Sequence, residues 1–291
     1  MANLIYDYYK ESSNKSYKIE NEILDTLNNS SNLDELLLND KRWEIQYNLN
    51  PARINILNVC DIKSTDLCLE IGAECGAISK GILQYTEHLD SIEESKTKCL
   101  INEKINQDHN DFNIYVGKFN DIILNKKYDK IFLIGSLEYA KFYFPNELNP
   151  YEYMLEKVKK LLNKDGIIYI AVDNKYGMKY LSGAMNTNSN NYFEEIEGKE
   201  TNSKQFSFNE IKTILNKANL NNNYFYFPLP DYNFPIEIYS EDYTPNNHIN
   251  YLGHSFDKDR FVFFNESKAI LEAAKNNDFP MFANSFMIEA R

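Results

Sequence analysis

The sequence is short of the features that identify several classes of protein. Its four cysteines form no C-x-x-C pair and its four histidines no H-E-x-x-H spacing, so we expect reduced thiols and no metal site. No apolar run reaches the eighteen or so residues that a bilayer span requires, and residues 1–10 are too polar for a signal peptide. A cytoplasmic protein without a membrane span is therefore expected.

Positive charge is also scarce. Lys and Arg number 31 against 43 Asp and Glu, a net charge of −12 over 291 residues. This charge balance lacks the basic surface of proteins that bind phosphate backbones, which argues against nucleic acid as a partner. The hydrophobic fraction of 43% is that of an ordinary globular protein, and the length is sufficient for a substantial core.

From residue 66 onward, short apolar segments alternate with helical ones. Strands are predicted at 88–93, 130–136 and 166–173, and helices at 95–106 and 151–163. Strands separated by helices of ten to fifteen residues are typical of right-handed βαβ units, so the pattern predicts an α/β fold with a doubly wound, mostly parallel sheet.

The turn after the first strand of this array, in "LEIGAECGAIS", contains Glu70, Gly72 and Gly76. Glycines at a strand-to-helix turn let the backbone approach a ligand closely. A dinucleotide fingerprint fails here, because Glu74 and Ala77 occupy the positions of its second and third glycines. Since a carboxylate at Glu74 would repel pyrophosphate, a phosphate-free cationic nucleoside such as S-adenosylmethionine is the better match.

The next two strand ends carry groups that suit an adenosyl ligand. Glu93 follows Glu70 by 23 residues, about where nucleotide-binding α/β folds place the carboxylate that accepts the ribose hydroxyls. Phe119, Asn120 and Asp121 follow the third strand. We expect Phe119 to pack on the adenine ring, and Asn120 or Asp121 to hydrogen-bond its amino group.

These motifs resemble those of the class I S-adenosylmethionine-dependent methyltransferases, in which an acid precedes G-x-G-x-G. More narrowly, "LIGSLEYA", "DNKYGMKYLSGA" and "PLPDYNFPIEIYSEDYTP" are similar to segments of bacterial methyltransferases associated with surface-glycan and glycoconjugate biosynthesis. The resemblance implies S-adenosylmethionine as cofactor, glycosyltransferases as partners, and a Rossmann-like sheet of order 3-2-1-4-5-7-6 with strand 7 antiparallel. One departure is that Glu74 stands where the family has its middle glycine.

The expected organisation is an N-terminal helical extension (1–58) followed by a methyltransferase domain (59–291). Within that domain, an Asn-rich stretch predicts a lid or long loop at 174–206. The resemblance places an insertion at 229–280, before the last strand.

Further candidate residues follow the fourth and fifth strands, where this architecture places its acceptor. Glu138 is the first choice as general base or acceptor anchor and Asp173 the second, while His248 and His254 remain alternatives. The other candidates are Gly135 for the cofactor, Tyr139 for catalysis, and Asn174, Lys175, Tyr176 and Tyr232 for the substrate.

The sequence thus predicts an S-adenosylmethionine-dependent methyltransferase that modifies a hydroxyl or an amine on a small-molecule or glycan-linked acceptor. Two alternatives stay open. The first is a non-catalytic scaffold of a glycosyltransferase complex, which Glu74 leaves possible. The second is an NAD-dependent nucleotide-sugar oxidoreductase, against which the broken glycine fingerprint argues.

Overall fold

The computed structural model describes residues 2–10, 18–29, 33–186, 189–199, 203–250 and 260–291. The chain divides into two units. Unit 1 comprises Met1–Leu133 and Leu161–Gly166, and unit 2 comprises Ile134–Lys160 and Ile167–Arg291. Among the described residues, no helix is long and apolar enough to cross a membrane.

Unit 1 is built on parallel strands joined by helices. Its elements are β1 (Asn3–Ile5), α1 (Lys18–Asn29), α2 (Leu33–Asn39), α3 (Trp43–Leu49), a 3-10 helix (Pro51–Val59), β2 (Cys68–Ile71), α4 (Ala77–Ile82), β3 (Leu89–Glu93), α5 (Lys96–Ile105), β4 (Phe112–Val116) and β5 (Tyr128–Ile134), whose last residue belongs to unit 2. The pairs β1–β4, β4–β3, β3–β2 and β2–β5 are all parallel.

Strands β2 and β3 lie in the middle of this array and are buried along their whole length. Both faces of these strands are covered, which explains why their sequences lack strict alternation. In the register of the pair, Glu70 lies beside Ser91 and Ile71 beside Ile92. Because the strands are parallel, the turn after β2 and the end of β3 at Glu93 meet at one edge of the sheet.

The N-terminal helices pack onto the same part of unit 1. Ile23 and Leu27 of α1 and Ile45 of α3 form a buried cluster with Cys75 of the glycine turn and Ile101 of α5. The extension was expected to be helical from its start, and this is wrong for residues 3–5, which form strand β1 alongside β4. A three-residue edge strand is too short to show a period of its own.

Unit 2 contains the antiparallel part of the fold. Its elements are a 3-10 turn (Ser136–Tyr139), α6 (Ala140–Tyr143), α7 (Pro150–Lys159), β6 (Leu162–Asp173, of which 162–166 belong to unit 1), α8 (Met178–Leu181), α9 (Glu194–Glu197), α10 (Phe208–Lys217), β7 (Asn223–Leu229), β8 (Glu237–Ser240), α11 (Glu266–Lys275), α12 (Phe279–Phe282) and β9 (Ser285–Ala290). Strand β9 runs antiparallel to β6 and β7, as expected for the last strand, and β8 is antiparallel to β7.

The strand order is β1-β4-β3-β2-β5-β6-β9-β7-β8, which differs from the seven-strand order expected. The seven expected strands keep their expected neighbours, and the difference comes from β1 and β8, which add to the two edges. Strand β8 lies in the predicted insertion (229–280), together with α11. Residues 187, 188, 200–202 and 251–259 of the predicted lid and insertion lie outside the described residues.

The interior of unit 2 is rich in phenylalanine. Phe286 of β9 is fully buried, and its ring centroid lies 5.8 Å from those of Phe208 and Phe225 and 6.3 Å from that of Phe227. The contacts with Phe225 and Phe227 are edge-to-face, an arrangement that adds to the free energy of burying the rings themselves. We therefore regard Phe286 as the centre of this core.

Phe286→Ala should lower the free energy of unfolding by about 3–5 kcal/mol, since it removes a large buried ring and leaves a cavity. Phe261→Ala is the matched control, because Phe261 is 71% exposed. Urea unfolding of the two variants and the wild type measures the effect. Equal losses of stability in the two variants would contradict the assignment of the core.

Candidate functional site

The glycine turn of unit 1 has the tight geometry that its sequence predicted. The φ angles are +83° at Gly72, +50° at Glu74 and +89° at Gly76, and the Gly72 N–H donates to the Ile92 carbonyl at 2.9 Å. At Gly76 a Cβ would also lie only 2.2 Å from Oδ1 of Asn102. Glycine is therefore required there both for the backbone angle and for space.

Glu93, at the end of β3, holds this turn in place. Its Oε2 accepts the Glu74 N–H at 3.1 Å and its Oε1 accepts the Ser95 N–H at 2.9 Å. Burial, with a smaller contribution from the Glu74 carboxylate, raises the pKa of Glu93 to about 7. A carboxylate has about four lone-pair sites, so two protein donors leave Glu93 able to accept two ligand hydroxyls.

The side chain of Glu74, the residue that replaces the family's middle glycine, forms an ion pair with Lys98 of α5. Although burial opposes it, the carboxylates of Glu74 and Glu93 raise the pKa of Lys98 above its usual value. The ammonium therefore stays charged and compensates the buried carboxylates. The departure from glycine is accommodated by a partner that the motif itself does not contain.

Glu70 is 2% exposed and lies within unit 1 rather than at the surface of the turn. Its Oε2 accepts hydrogen bonds from the hydroxyls of Ser79 (2.5 Å) and Ser91 (3.0 Å). Burial raises the pKa of Glu70 to about 7, although both serines and the nearby Arg53 oppose the shift. Glu70 thus links β2, β3 and α4 through these hydrogen bonds and stabilises the elements on either side of the turn.

The three candidates after β4 have different surroundings. Phe119 is buried, Asn120 is exposed, and Asp121 forms an ion pair with Lys10 at 2.9 Å. The hydroxyl of Tyr8 donates to the Ile123 carbonyl at 3.2 Å. Residues 2–10 therefore reach the strand end where we expected adenine, a contact that the sequence pattern did not indicate.

A buried arginine of unit 1 was also missed. The guanidinium of Arg53 lies 3.9 Å from the ring centroid of Tyr47 and donates to the Tyr47 carbonyl at 2.9 Å. Arg53 is 3% exposed and close enough to Glu70 to lower the pKa of that carboxyl. A motif search aimed at the strand ends could not find Arg53, because it lies in the 3-10 helix before β2.

In unit 2, Glu138 and Asp173, the first and second candidates for the general base, are neighbours. Oε1 of Glu138 accepts the Asp173 N–H at 2.6 Å, and the Glu138 carbonyl accepts the Lys204 N–H at 3.0 Å. Burial first and the Asp173 carboxylate second raise the pKa of Glu138 well above its usual value. Glu138 therefore holds a proton more readily than an ordinary glutamate.

Asp173 is held by two residues that the sequence did not single out. Its carboxylate contacts Lys179 Nζ at 2.9 Å and accepts the hydroxyl of Tyr180 at 2.9 Å. Lys179 also contacts Asp231 at 3.0 Å. We call Glu138, Asp173, Asp231 and Lys179 the acidic cluster. It contains three carboxyls and one ammonium. Burial first and the Asp231 carboxylate second raise the pKa of Asp173, although Lys179 opposes the shift.

The predicted substrate residues of unit 2 are partly engaged in the fold. Both hydrogens of the Asn174 side-chain amide go to backbone carbonyls, those of Met281 (2.9 Å) and Ala283 (2.7 Å). Lys175 contacts Glu210 at 3.1 Å and lies over the ring of Tyr176. Asn174 therefore anchors the chain after β6, and its amide could donate to a ligand only in place of one of these bonds.

The remaining candidates of unit 2 fall in two places. Gly135 has a φ of +79°, and a Cβ at this position would lie 2.9 Å from the hydroxyl of Tyr232, so these two candidates are close together. Tyr139 is 37% exposed. His248 is exposed, and His254 lies outside the described residues. Within the described ranges, no group of three or more His, Cys, Asp or Glu is arranged to hold a metal ion.

No family model matches the sequence, and no curated protein matches it. Solved structures do resemble it. Phosphoethanolamine N-methyltransferase 1 of Haemonchus contortus, in complex with phosphoethanolamine and S-adenosylhomocysteine, has a TM-score of 0.51 at 11% identity, covering 94% of this chain and 48% of that one. A complex between the Haloferax volcanii Trm112 methyltransferase activator and a protein assigned as a methyltransferase has a TM-score of 0.50 at 14% identity, covering 92% and 96%.

The CcbJ methyltransferase of Streptomyces caelestis is a more distant match, with a TM-score of 0.37 at 16% identity over 44% of this chain. The chain spans 51% of CcbJ and 48% of the Haemonchus enzyme, about half of their length. At these identities the similarity concerns the fold alone. The chain has the Rossmann-like fold of S-adenosylmethionine-dependent methyltransferases.

The raised pKa of Glu70 makes the stability of the protein depend on pH. A carboxyl with a pKa of about 7 in the folded state and a lower pKa when unfolded binds more protons in the folded state. The free energy of unfolding therefore falls as pH rises from about 4.5 to 7. Glu70→Gln should reduce this fall by about 3 kcal/mol. The measurement is urea unfolding at several pH values, with Glu87→Gln, at an exposed carboxyl, as the control. Identical slopes for all three proteins would refute the prediction.

Proposed function

We propose that the protein is a methyltransferase that takes its methyl group from S-adenosylmethionine and transfers it to a hydroxyl or an amine on a glycan precursor or glycan-linked group. The observation that carries this proposal is the turn at residues 72–76, with the partly unused carboxylate of Glu93 directly behind it. A fold shared with methyltransferases supports it, as does the S-adenosylhomocysteine bound to the Haemonchus enzyme.

The charges of unit 1 suit this cofactor better than a dinucleotide. Three carboxyls, Glu70, Glu74 and Glu93, lie near the turn against two cations, Lys98 and Arg53. When all three carboxyls are ionised this leaves a small excess of negative charge, which favours a sulfonium and an ammonium and disfavours a diphosphate. Glu93 is the expected acceptor of the ribose hydroxyls. Arg53, buried close to Glu70, is the cation that we expect to face the carboxylate of the cofactor.

When bound, S-adenosylmethionine supplies a methyl group that its sulfonium has already activated, so the protein mainly has to position the acceptor and manage one proton. A hydroxyl acceptor needs a general base, and a base works best when its pKa lies near the working pH. Burial raises the pKa of Glu138 well above its usual value, which makes it a stronger base than an ordinary glutamate. Asp173 is held by Lys179 and Tyr180, which suits it to orienting Glu138 or the acceptor.

A thermal-shift experiment tests the function against both alternatives. S-adenosylhomocysteine at a hundredfold excess over its Kd should stabilise the folded protein by about 2.7 kcal/mol, which raises the Tm by several degrees, and NAD should not. Stabilisation by NAD alone would indicate the oxidoreductase. No response to either compound would indicate the scaffold.

Glu93→Ala should weaken binding of S-adenosylhomocysteine by about 1.5–3 kcal/mol, the scale of hydrogen bonds to a charged group. Isothermal titration calorimetry measures the Kd. Glu94→Ala removes the same charge from the adjacent residue and is the control. If both variants bind like the wild type, Glu93 has no role in holding the ribose.

Glu138→Gln should lower turnover by about a hundredfold or more, the usual contribution of a general base, while the Kd of S-adenosylhomocysteine stays unchanged. Formation of S-adenosylhomocysteine with a panel of nucleotide-activated hexoses and hexosamines provides the assay. Glu156→Gln, at an exposed residue of α7, is the control. Full activity of Glu138→Gln on the best acceptor would rule out its role as base.

A further inference from the structure

Unit 2 contains a cavity of about 410 Å³ that none of the predicted catalytic residues lines. This volume lies within the range of about 300–1,000 Å³ that is usual for small-molecule sites. Its walls come from α6 and the loop that leads to α7, from the start of α7, from the loop after β6, from α9 and the residues after it, and from the segment that leads into α10. The residues that matter below are Tyr151, Glu195, Lys141, Lys175, Lys199 and Lys204.

Glu195, in α9, is the unusual residue of this cavity. It is 5% exposed, and within the described part of the chain neither of its carboxylate oxygens has a partner with good hydrogen-bond geometry. Burial raises the pKa of this carboxyl, although the backbone N–H of Glu195 and the Asn186 side chain lie near enough to oppose the shift. Buried carboxylates are almost always hydrogen-bonded, because an unsatisfied one loses its hydration without replacement. A buried carboxylate that lines a cavity and has only weak donors in the protein has acceptor capacity left for a ligand.

The same cavity concentrates positive charge in a chain whose net charge is −12. Four lysines line it. Two of them converge on a single carboxylate, since Glu210 lies 3.1 Å from Lys175 Nζ and 2.6 Å from Lys204 Nζ. One carboxylate cannot neutralise two ammonium groups. The lining formed by described residues has four lysines against three glutamates, Glu147, Glu195 and Glu210, and Lys199 also pairs with Glu197 at 3.1 Å, so the positive charge lies mainly at Lys141, Lys175 and Lys204.

Helix α7 adds to this field. Pro150 and Tyr151, its first two residues, line the cavity, and the helix is ten residues long. Its N-cap residue, Asn149, makes no side-chain capping bond, so the first backbone N–H groups are not satisfied by that side chain. The N-terminal end of a helix carries partial positive charge and favours anions.

We propose that this cavity is a binding site for a phosphorylated sugar. The lysines and the start of α7 hold the phosphate, and Glu195 accepts two neighbouring hydroxyls of the sugar. Tyr151 offers an aromatic face for the ring. An amine in place of the hydroxyls is disfavoured, because the four lysines would repel a second cation.

The cavity wall is joined to the acidic cluster through the backbone. The Lys204 N–H donates to the Glu138 carbonyl at 3.0 Å, and the Phe206 N–H donates to the Asp173 carbonyl at 3.1 Å. The site goes beyond the proposed function, since it would bind its ligand whether or not methyl transfer occurs. Only the role of the sugar phosphate as methyl acceptor rests on the proposed function.

Calorimetric titration of the full chain with glucose 6-phosphate tests the site, with glucose and inorganic phosphate as partial ligands. Saturable binding of glucose 6-phosphate is expected, at least about tenfold tighter than that of either partial ligand, because each offers only half of the contacts. Absence of binding to the wild type, or equal binding of inorganic phosphate and glucose 6-phosphate, would overturn the proposal.

Variants separate a binding role from a structural one. Glu195→Gln and Lys204→Met should each weaken glucose 6-phosphate binding by about tenfold or more. Because the partners of Glu195 in the folded chain are weak and burial disfavours its charge, Glu195→Gln should not lower the Tm. Lys217→Met removes an ammonium that pairs with Glu152 outside the cavity lining, and it should bind like the wild type. Undiminished binding by both cavity variants, or an equal loss in Lys217→Met, would refute the site.

The variant Glu93→Ala, which is designed to weaken cofactor binding, separates this test from the test of the proposed function. Glu93→Ala should bind glucose 6-phosphate normally even where it has lost S-adenosylhomocysteine. A protein that binds the sugar phosphate but not S-adenosylhomocysteine would retain the site and lose the proposed function. The opposite result would retain the function and lose the site.

Discussion

The carboxylate of Glu93 is the constraint on which the candidate cofactor site depends. It accepts one N–H from the turn after β2 and one from the start of α5, so a single side chain determines the positions of two loops. A buried acceptor has to be satisfied, and the backbone N–H groups of Glu74 and Ser95 do this. The conformation of the turn, including the positive φ of Glu74, follows from that requirement.

In both units, carboxyl groups of low exposure are contacted by ammonium groups or hydroxyl donors. In unit 1, Lys98 pairs with Glu74, and Ser79 and Ser91 donate to Glu70. In unit 2, Lys179 is shared between Asp173 and Asp231. These partners offset only part of the cost of burying the carboxyls, so the pKa values of Glu70, Glu93 and Glu138 are raised. A carboxyl with a raised pKa is suited to proton transfer, which is the chemical basis for proposing Glu138 as a base.

Most strands and helices of the core could be predicted from the chain because each has a local signal of its own, an apolar run for a buried strand or a helical spacing for a helix. Strand β3 and helix α5 lie within a residue or two of their predicted positions. Strands β1 and β8 have three and four residues, too few for a periodic signal, and were missed. The position of Glu93 beside the glycine turn was predictable, since parallel strands bring their carboxyl ends to one edge.

The sequence by itself determined the α/β class, the glycine turn and the strand-end acids, because local spacing controls backbone conformation and burial on each element. Only the tertiary structure decided which charges meet. Lys98 faces Glu74 across 24 residues, Lys10 reaches Asp121 across 111, and Lys179 reaches Asp231 across 52. Such pairs depend on how helices and loops pack on the strands, and no spacing along the chain encodes the distance between two side chains on different elements.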